Sequence, residues 1–182
     1  MAVTGASGMV YAVDLLACLR DAGVHTHLIV TAGAKRVLPT ELAGGLEELT
    51  SLASEVHKDT DAGAPIASGS HRFESMVIVP CSAGTLAKVA RGFTDNLTSR
   101  VAHVALKERR PLVLVVREAP YSRPMLENML LADAAGALVM PASPGFYHRP
   151  ATVSDLVGSV TARVLDHLAV EHARVPRWGE ER

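Results

Sequence analysis

Apolar positions recur along this chain in two rhythms. Residues 76–80 (Met76-Val77-Ile78-Val79-Pro80), 112–116 and 137–140 are short runs in which nearly every side chain is apolar, the pattern of strands buried on both faces. Between them the apolar residues fall at helical spacing. Tyr11, Leu15, Leu16 and Leu19 predict a helix over 9–22, and further helices are predicted over 34–41, 46–57, 82–90, 96–109, 125–135 and 152–169. A second strand is predicted over 24–30, after the break at Gly23, and Gly44-Gly45 separates the second and third helices. Residues 60–70 read as a loop by composition. Strands alternating with helices, with no repeat and no linker, predict one α/β domain over 1–182. The expected architecture is a doubly wound, Rossmann-like, mainly parallel sheet with helices on both faces.

In such folds ligands bind beyond the carboxyl ends of the strands. The segments at those ends are Gly5 to Gly8, Thr31-Ala32-Gly33, Cys81-Ser82-Ala83-Gly84-Thr85, Arg117-Glu118-Ala119-Pro120 and 141–147. Most of these residues are small or hydroxylated, which leaves room for a ligand and offers short hydrogen-bonding groups. The run Thr4-Gly5-Ala6-Ser7-Gly8, between a strand and a helix, has the form of an anion cradle, although a lone Gly-x-x-Gly is equally a tight turn.

Composition narrows the function classes. The 182 residues carry 18 Lys and Arg against 19 Asp and Glu, so no basic excess points to nucleic acid. No apolar run is long enough to cross a bilayer, and the first residues lack an export signal, so a cytoplasmic protein is expected. Cys18 and Cys81 are expected to stay reduced, and Cys81 reads as packing rather than as a nucleophile. Eight histidines lack zinc-type spacing, and His25 and His27 alternate as one exposed strand face would; no metal is indicated.

Together, several runs resemble the UbiX-type flavin prenyltransferases, long labelled aromatic-acid decarboxylases. They are Thr4-Gly5-Ala6-Ser7-Gly8, Pro65-Ile66-Ala67-Ser68-Gly69-Ser70, Pro80-Cys81-Ser82-Ala83-Gly84-Thr85-Leu86, Lys107-Glu108-Arg109-Arg110-Pro111, Arg117-Glu118-Ala119-Pro120, Leu126-Glu127-Asn128-Met129, Phe146-Tyr147-His148-Arg149-Pro150 and Pro176-Arg177-Trp178-Gly179. They keep their order from end to end. The resemblance implies transfer of a dimethylallyl unit from dimethylallyl phosphate to N5 and C6 of reduced FMN, without a metal. The product, prenylated FMN, would serve a UbiD-type decarboxylase, and a large homo-oligomer, such as a dodecamer, is implied.

The resemblance also implies roles. Gly5, Ala6, Ser7, Thr31, Ser82, Ala83, Gly84, Thr85 and Arg117 match FMN contacts. Arg100, Lys107, Tyr147 and Arg163 match the residues that hold the substrate phosphate, and ionisation of an allylic phosphate needs cations there. Ser7 and Glu41 match positions at the reactive edge of the flavin, and Glu118 an acid beside the phosphate. Glu41 closes a predicted helix, where an acid opposes the helix dipole, and that misplacement favours a functional role. By pattern alone the arginines and Lys107 on the 96–109 run would be a solvated basic face, and Arg109 and Arg110 are given no site role.

Three departures stand out: a short segment ahead of the glycine loop, Ala62 where some members carry an aromatic, and His103 in place of an acid. The rival readings are an FMN-dependent cysteine decarboxylase, a non-catalytic FMN-binding module, and true decarboxylation of hydroxyaryl acids. The first lacks its early histidine and Asn-Pro-Ala-Met-Asn-like run here, and neither of the others accounts for a cluster of cations suited to phosphate.

Overall fold

A computed structural model describes residues 1–175 and 179. The Pro176-Arg177-Trp178 part of the last matching run lies outside the described residues. Six strands form one all-parallel sheet: β1 (Ala2–Val3), β2 (His27–Val30), β3 (Glu55–Lys58), β4 (Met76–Cys81), β5 (Leu112–Val116) and β6 (Leu138–Pro141). Their order is β3-β2-β1-β4-β5-β6, so the winding reverses between β1 and β4, where the first glycine loop leaves the sheet. The two-residue β1 is nevertheless central, with Ala2 opposite both Ile29 and Ile78.

Among the described residues seven α-helices flank the strands: α1 (Met9–Asp21), α2 (Ala32–Glu41), α3 (Gly45–Thr50), α4 (Ala83–Arg91), α5 (Leu97–Lys107), α6 (Arg123–Ala134) and, after the last strand, α7 (Val153–His167). Strand side chains alternate between the two faces, and both faces are buried. Ile78, Leu112 and Leu114 pack with Leu86, Leu97, Val101 and Met125, so α4, α5 and α6 cover one side. Val77, Val79, Val113 and Val115 pack with Met9, Leu16, Leu38, Val160 and Val164, so α1, α2 and α7 cover the other. The starts of α2, α4, α5 and α7 are secured by N-cap side chains. Asn96 and Ser99 form a reciprocal capping box on α5, as do Thr152 and Asp155 on α7; each cap contributes about 1 kcal/mol.

One element departs from the sequence pattern. The helix predicted over 46–57 ends at Thr50, and Glu55–Lys58 instead forms the edge strand β3. Leu49 is fully buried and anchors the short helix, while Glu55, Val56 and Lys58 are exposed, so this strand has no apolar face. The strand predicted from Val24 begins at His27. Cys18 and Cys81 are free thiols; Cys81 is fully buried, and burial pushes its thiol up to about 12, which fits packing. Among the described residues no helix is long and apolar enough to cross a membrane.

Candidate flavin site at the switch point

The loops leaving β1, β2, β4 and β5 are tied to one another at the carboxyl edge of the sheet. Thr4 is fully buried, and its Oγ1 donates to the Pro80 carbonyl (2.7 Å) and accepts from the Ser82 N–H (2.8 Å). That hydroxyl locks the first glycine loop to the start of α4. Gly5 and Gly33 meet backbone to backbone; a Cβ on Gly5 would stand 3.0 Å from the Gly33 Cα, which glycine alone avoids. Thr31 caps α2, accepting from the Ala34 N–H and donating to the Val3 carbonyl. Arg117, just past β5, donates from Nε to the Ser7 carbonyl at 3.1 Å.

Glu41 enters this cluster from the last residue of α2. Its Oε2 accepts the N–H groups of Gly8 and Met9, both at 2.8 Å, so the carboxylate sits on the N-terminus of α1. Burial pushes its carboxyl up. The Ser7 hydroxyl, the two N–H groups and the Arg117 charge outweigh that and hold it below the usual carboxylate range. The anion cradle expected in the first glycine loop is therefore filled from within, by Glu41. The acid is misplaced for its own helix because it caps the neighbouring one.

A ligand phosphate has a second helix start to use. Ser82 caps α4, its Oγ accepting from the Thr85 N–H and standing 3.1 Å from the Thr85 hydroxyl. The N–H groups of Ala83 and Gly84 lie in the first turn, where the helix offers no acceptor. A Cβ on Gly84 would meet nothing within 4 Å, so this end opens to space. Two hydroxyls, first-turn N–H groups and the positive end of a nine-residue helix suit a phosphate monoester such as that of FMN.

The residues matched to a substrate phosphate are dispersed within one chain. Arg100 and Lys107 lie on α5 and Arg163 on α7, on opposite faces of the sheet. Arg100 Nε donates to the Ala67 carbonyl (3.0 Å), and Lys107 Nζ pairs with Glu108. Lys107 also stands toward the opposite edge of the sheet from the glycine loops, since Pro111, four residues on, bonds the first residue of β4 (Met76 N–H to Pro111 O, 2.9 Å). Arg163 Nη1 pairs with Asp166 at 2.6 Å. Tyr147 is 85% exposed in the loop after β6, and Glu118 is exposed beside Arg117, accepting from its own Ala119 N–H. Gly5, Ala6, Ser7, Thr31, Glu41, the α4 start, Arg117 and Glu118 thus share one edge of the sheet, whereas Lys107 lies toward the other edge and Arg163 on the opposite face from Arg100.

Two positioning groups stand in matched runs but received no role from the sequence. Thr4 acts through contacts 76 and 78 residues away. Arg110, left without a role in the sequence, donates to the carbonyls of His71 (2.8 Å) and Gly69 (3.0 Å) and stacks over Phe73 at 4.3 Å, fixing the segment against α5.

The Flavoprotein family model matches residues 1–161. Over 98% of its length the chain is 60% identical to flavin prenyltransferase UbiX of Deinococcus radiodurans, covering 92% of that protein. The chain belongs to the UbiX-type flavin prenyltransferase family. It is also 46% identical to the UbiX of Pseudomonas aeruginosa, over 100% of this chain and 93% of that one. Among solved structures it is similar to AnUbiX (PadA1) in complex with FMN and dimethylallyl pyrophosphate. The TM-score is 0.96 at 40% identity, over 100% of this chain and 96% of that one. A dodecameric FMN-dependent UbiX-like decarboxylase from Escherichia coli O157:H7 gives a TM-score of 0.95 at 42% identity, over 98% and 97%. An FMN-dependent cysteine decarboxylase, TvaF, gives 0.65 at 23% identity over 93% and 96%, a likeness of fold alone. The UbiX-type match thus outweighs the cysteine decarboxylase reading at every level of comparison.

Proposed function

We propose that this chain is a flavin prenyltransferase that joins the dimethylallyl unit of dimethylallyl phosphate to N5 and C6 of reduced FMN, and that a UbiD-type decarboxylase receives the product. The observation that carries this reading is Glu41, an ionised carboxylate fixed by Ser7 and the α1 N-terminus at the switch point of the sheet. Reduced FMN supplies the electron-rich N5 and C6 that take the prenyl carbons as the C–O bond to phosphate breaks.

The chain's residues then have definable work. Gly5, Ala6, Ser7 and Thr31 form the wall against which the isoalloxazine lies, and Ser82, Ala83, Gly84 and Thr85 hold the FMN phosphate. Arg117 steadies the first loop and adds positive charge beside the flavin. Glu41 accepts the N5 proton, a task for a carboxylate that is ionised at neutral pH, and Ser7 keeps it aimed. Arg100, Lys107, Tyr147 and Arg163 grip the leaving phosphate, and Glu118 delivers a proton to it. Because Lys107 lies away from the flavin edge of its own chain and Arg163 on the opposite face of the sheet from Arg100, we assign the complete site to contacts between copies in a homo-oligomer, such as a dodecamer. The two free cysteines support a reducing, cytoplasmic setting.

The test is anaerobic incubation of purified protein with reduced FMN and dimethylallyl phosphate, followed by mass spectrometry of the flavin. A gain of one five-carbon prenyl unit is expected. FMN that stays bound with unchanged mass overturns the transferase reading in favour of a carrier.

A further inference from the structure

The edge strand β3 creates a cluster that no single stretch of sequence contains. β2 and β3 run in parallel with His27 opposite Glu55 and Ile29 opposite His57. Residues two apart share a face, so His25, His27, Glu55 and His57 project on the same side. Their heteroatoms converge. His25 Nε2 lies 3.1 Å from Glu55 Oε1, His27 Nδ1 lies 3.6 Å from Glu55 Oε2, and His57 Nε2 lies 2.9 Å from His27 Nδ1 and 3.9 Å from Glu55 Oε2. One ligand atom each from His25, His27 and Glu55 falls within a span of 4.8 Å. Two atoms bound to one tetrahedral zinc at about 2.0–2.1 Å stand about 3.4 Å apart, so these separations bracket the required one. His71 stands edge-on to His27, ring centroids 5.5 Å apart, and its Nε2 is buried with no hydrogen-bond partner among the described residues.

We propose that His25, His27, Glu55 and His57 form a binding site for a first-row divalent cation, zinc in the first instance, that clips the edge strand β3 to β2. Imidazoles and a carboxylate are borderline ligands that suit zinc; His25, His27 and Glu55 already converge, and His57, 2.9 Å from His27 Nδ1 but outside that group, turns in as the fourth ligand of a closed, structural type of site rather than a catalytic one. The ion reaches it directly from solvent, because the His25 and Glu55 side chains are 61% and 51% exposed. In the ion-free chain one of the His27 and His57 rings donates to the other; on binding, the donating ring moves its proton to its other nitrogen, so that both facing nitrogens offer a lone pair to the metal. The site is separate from the prenyl-transfer chemistry and plays no part in it. It sits beside β3 and the start of β2, whereas the flavin loops leave the carboxyl ends of the strands.

The full chain, stripped with a chelator, is titrated with Zn²⁺ against a chromophoric competitor, with and without FMN, and melted at each zinc concentration. One zinc per chain is expected, with a raised melting midpoint and unchanged flavin binding. Glu55→Gln and His25→Gln, both at exposed side chains and so safe for folding, are each expected to weaken zinc about tenfold or more. His167→Gln, at an exposed histidine in the last turn of α7, should leave affinity unchanged. Less than half an equivalent of zinc in the unaltered chain, or equal zinc affinity in the His25→Gln/Glu55→Gln double variant, overturns the proposal.

Discussion

Replacing Glu41 with Gln separates the structural work of this carboxylate from its chemical work. Both N–H groups that it accepts, from Gly8 and Met9, converge on the single atom Oε2 at 2.8 Å. A glutamine carbonyl can take the same two bonds, and only the charge is lost. An exposed charge at a helix N-terminus is worth about 0.3–1 kcal/mol. Two charge-assisted bonds becoming neutral ones add about as much again after solvent screening, so Glu41→Gln should destabilise the fold by about 1–1.5 kcal/mol. Loss of a positioned base costs far more, about 10²–10⁴-fold in turnover. Urea unfolding, FMN titration and anaerobic turnover read by flavin mass resolve the two: near-native stability, retained FMN, and turnover down at least about a hundredfold. Acidification supplies a second reading. The folded carboxyl sits below its ordinary 4.5, so its contribution is complete above that pH and is lost as pH falls through the folded value. The stability gap between the parent chain and Glu41→Gln should therefore close below about pH 4.5. Turnover equal to that of the parent would refute the assignment of Glu41 as proton acceptor.

Three further outcomes follow from the same edge of the sheet. Gly5→Ala puts a Cβ 3.0 Å from the Gly33 backbone, which has no flexible end to move aside; unfolding should be easier by about 1–3 kcal/mol and FMN affinity should fall, as calorimetry and flavin fluorescence would report. Thr4→Val keeps the shape and leaves the Pro80 carbonyl its bond from the Thr4 N–H (3.3 Å), but strands the Ser82 N–H, costing about 1–3 kcal/mol in urea unfolding and loosening the α4 start. If the site is shared between copies, co-expressed Glu41→Gln and Lys107→Ala chains, each inactive alone, should restore activity in about a quarter of the sites of a randomly mixed oligomer. Mixed oligomers as inactive as their parents would return Lys107 to its own chain's site or remove it from the reaction.

What the sequence made legible, and what it hid, divides by the range of the interactions. β4 and β5 were readable because burial on both faces leaves wholly apolar runs, and the α4 start because Ser82 caps locally. β3 was not, because an exposed edge strand needs no apolar face; Leu46, Leu49, Leu52 and Ala53 carry a helical rhythm straight into it. That single misreading also hid the histidine cluster, since His57 meets His27 only once residues 55–58 lie alongside β2. Glu41 was half legible. Its misplacement at a helix end was visible, but the group it serves is 33 residues away on α1.

The same consideration bears on the phosphate cations. Arg100, Lys107 and Arg163 sit on ordinary helical faces; inside one chain Arg100 donates to the neutral Ala67 carbonyl, 33 residues away, whereas Lys107 and Arg163 form ion pairs with Glu108 and Asp166. Exposed pairs of this kind contribute about 0–1 kcal/mol, little enough that a dianionic phosphate can displace them. A cluster of unpaired cations held ready in the free chain would repel itself and be costly to fold. Spreading them over two faces of the sheet, with Lys107 and Arg163 loosely neutralised, avoids that cost and lets assembly of the oligomer together with phosphate binding bring them together. On this account the affinity for the prenyl phosphate should depend on oligomerisation far more than the affinity for FMN, whose proposed phosphate site, the α4 start, is built from one segment of one chain.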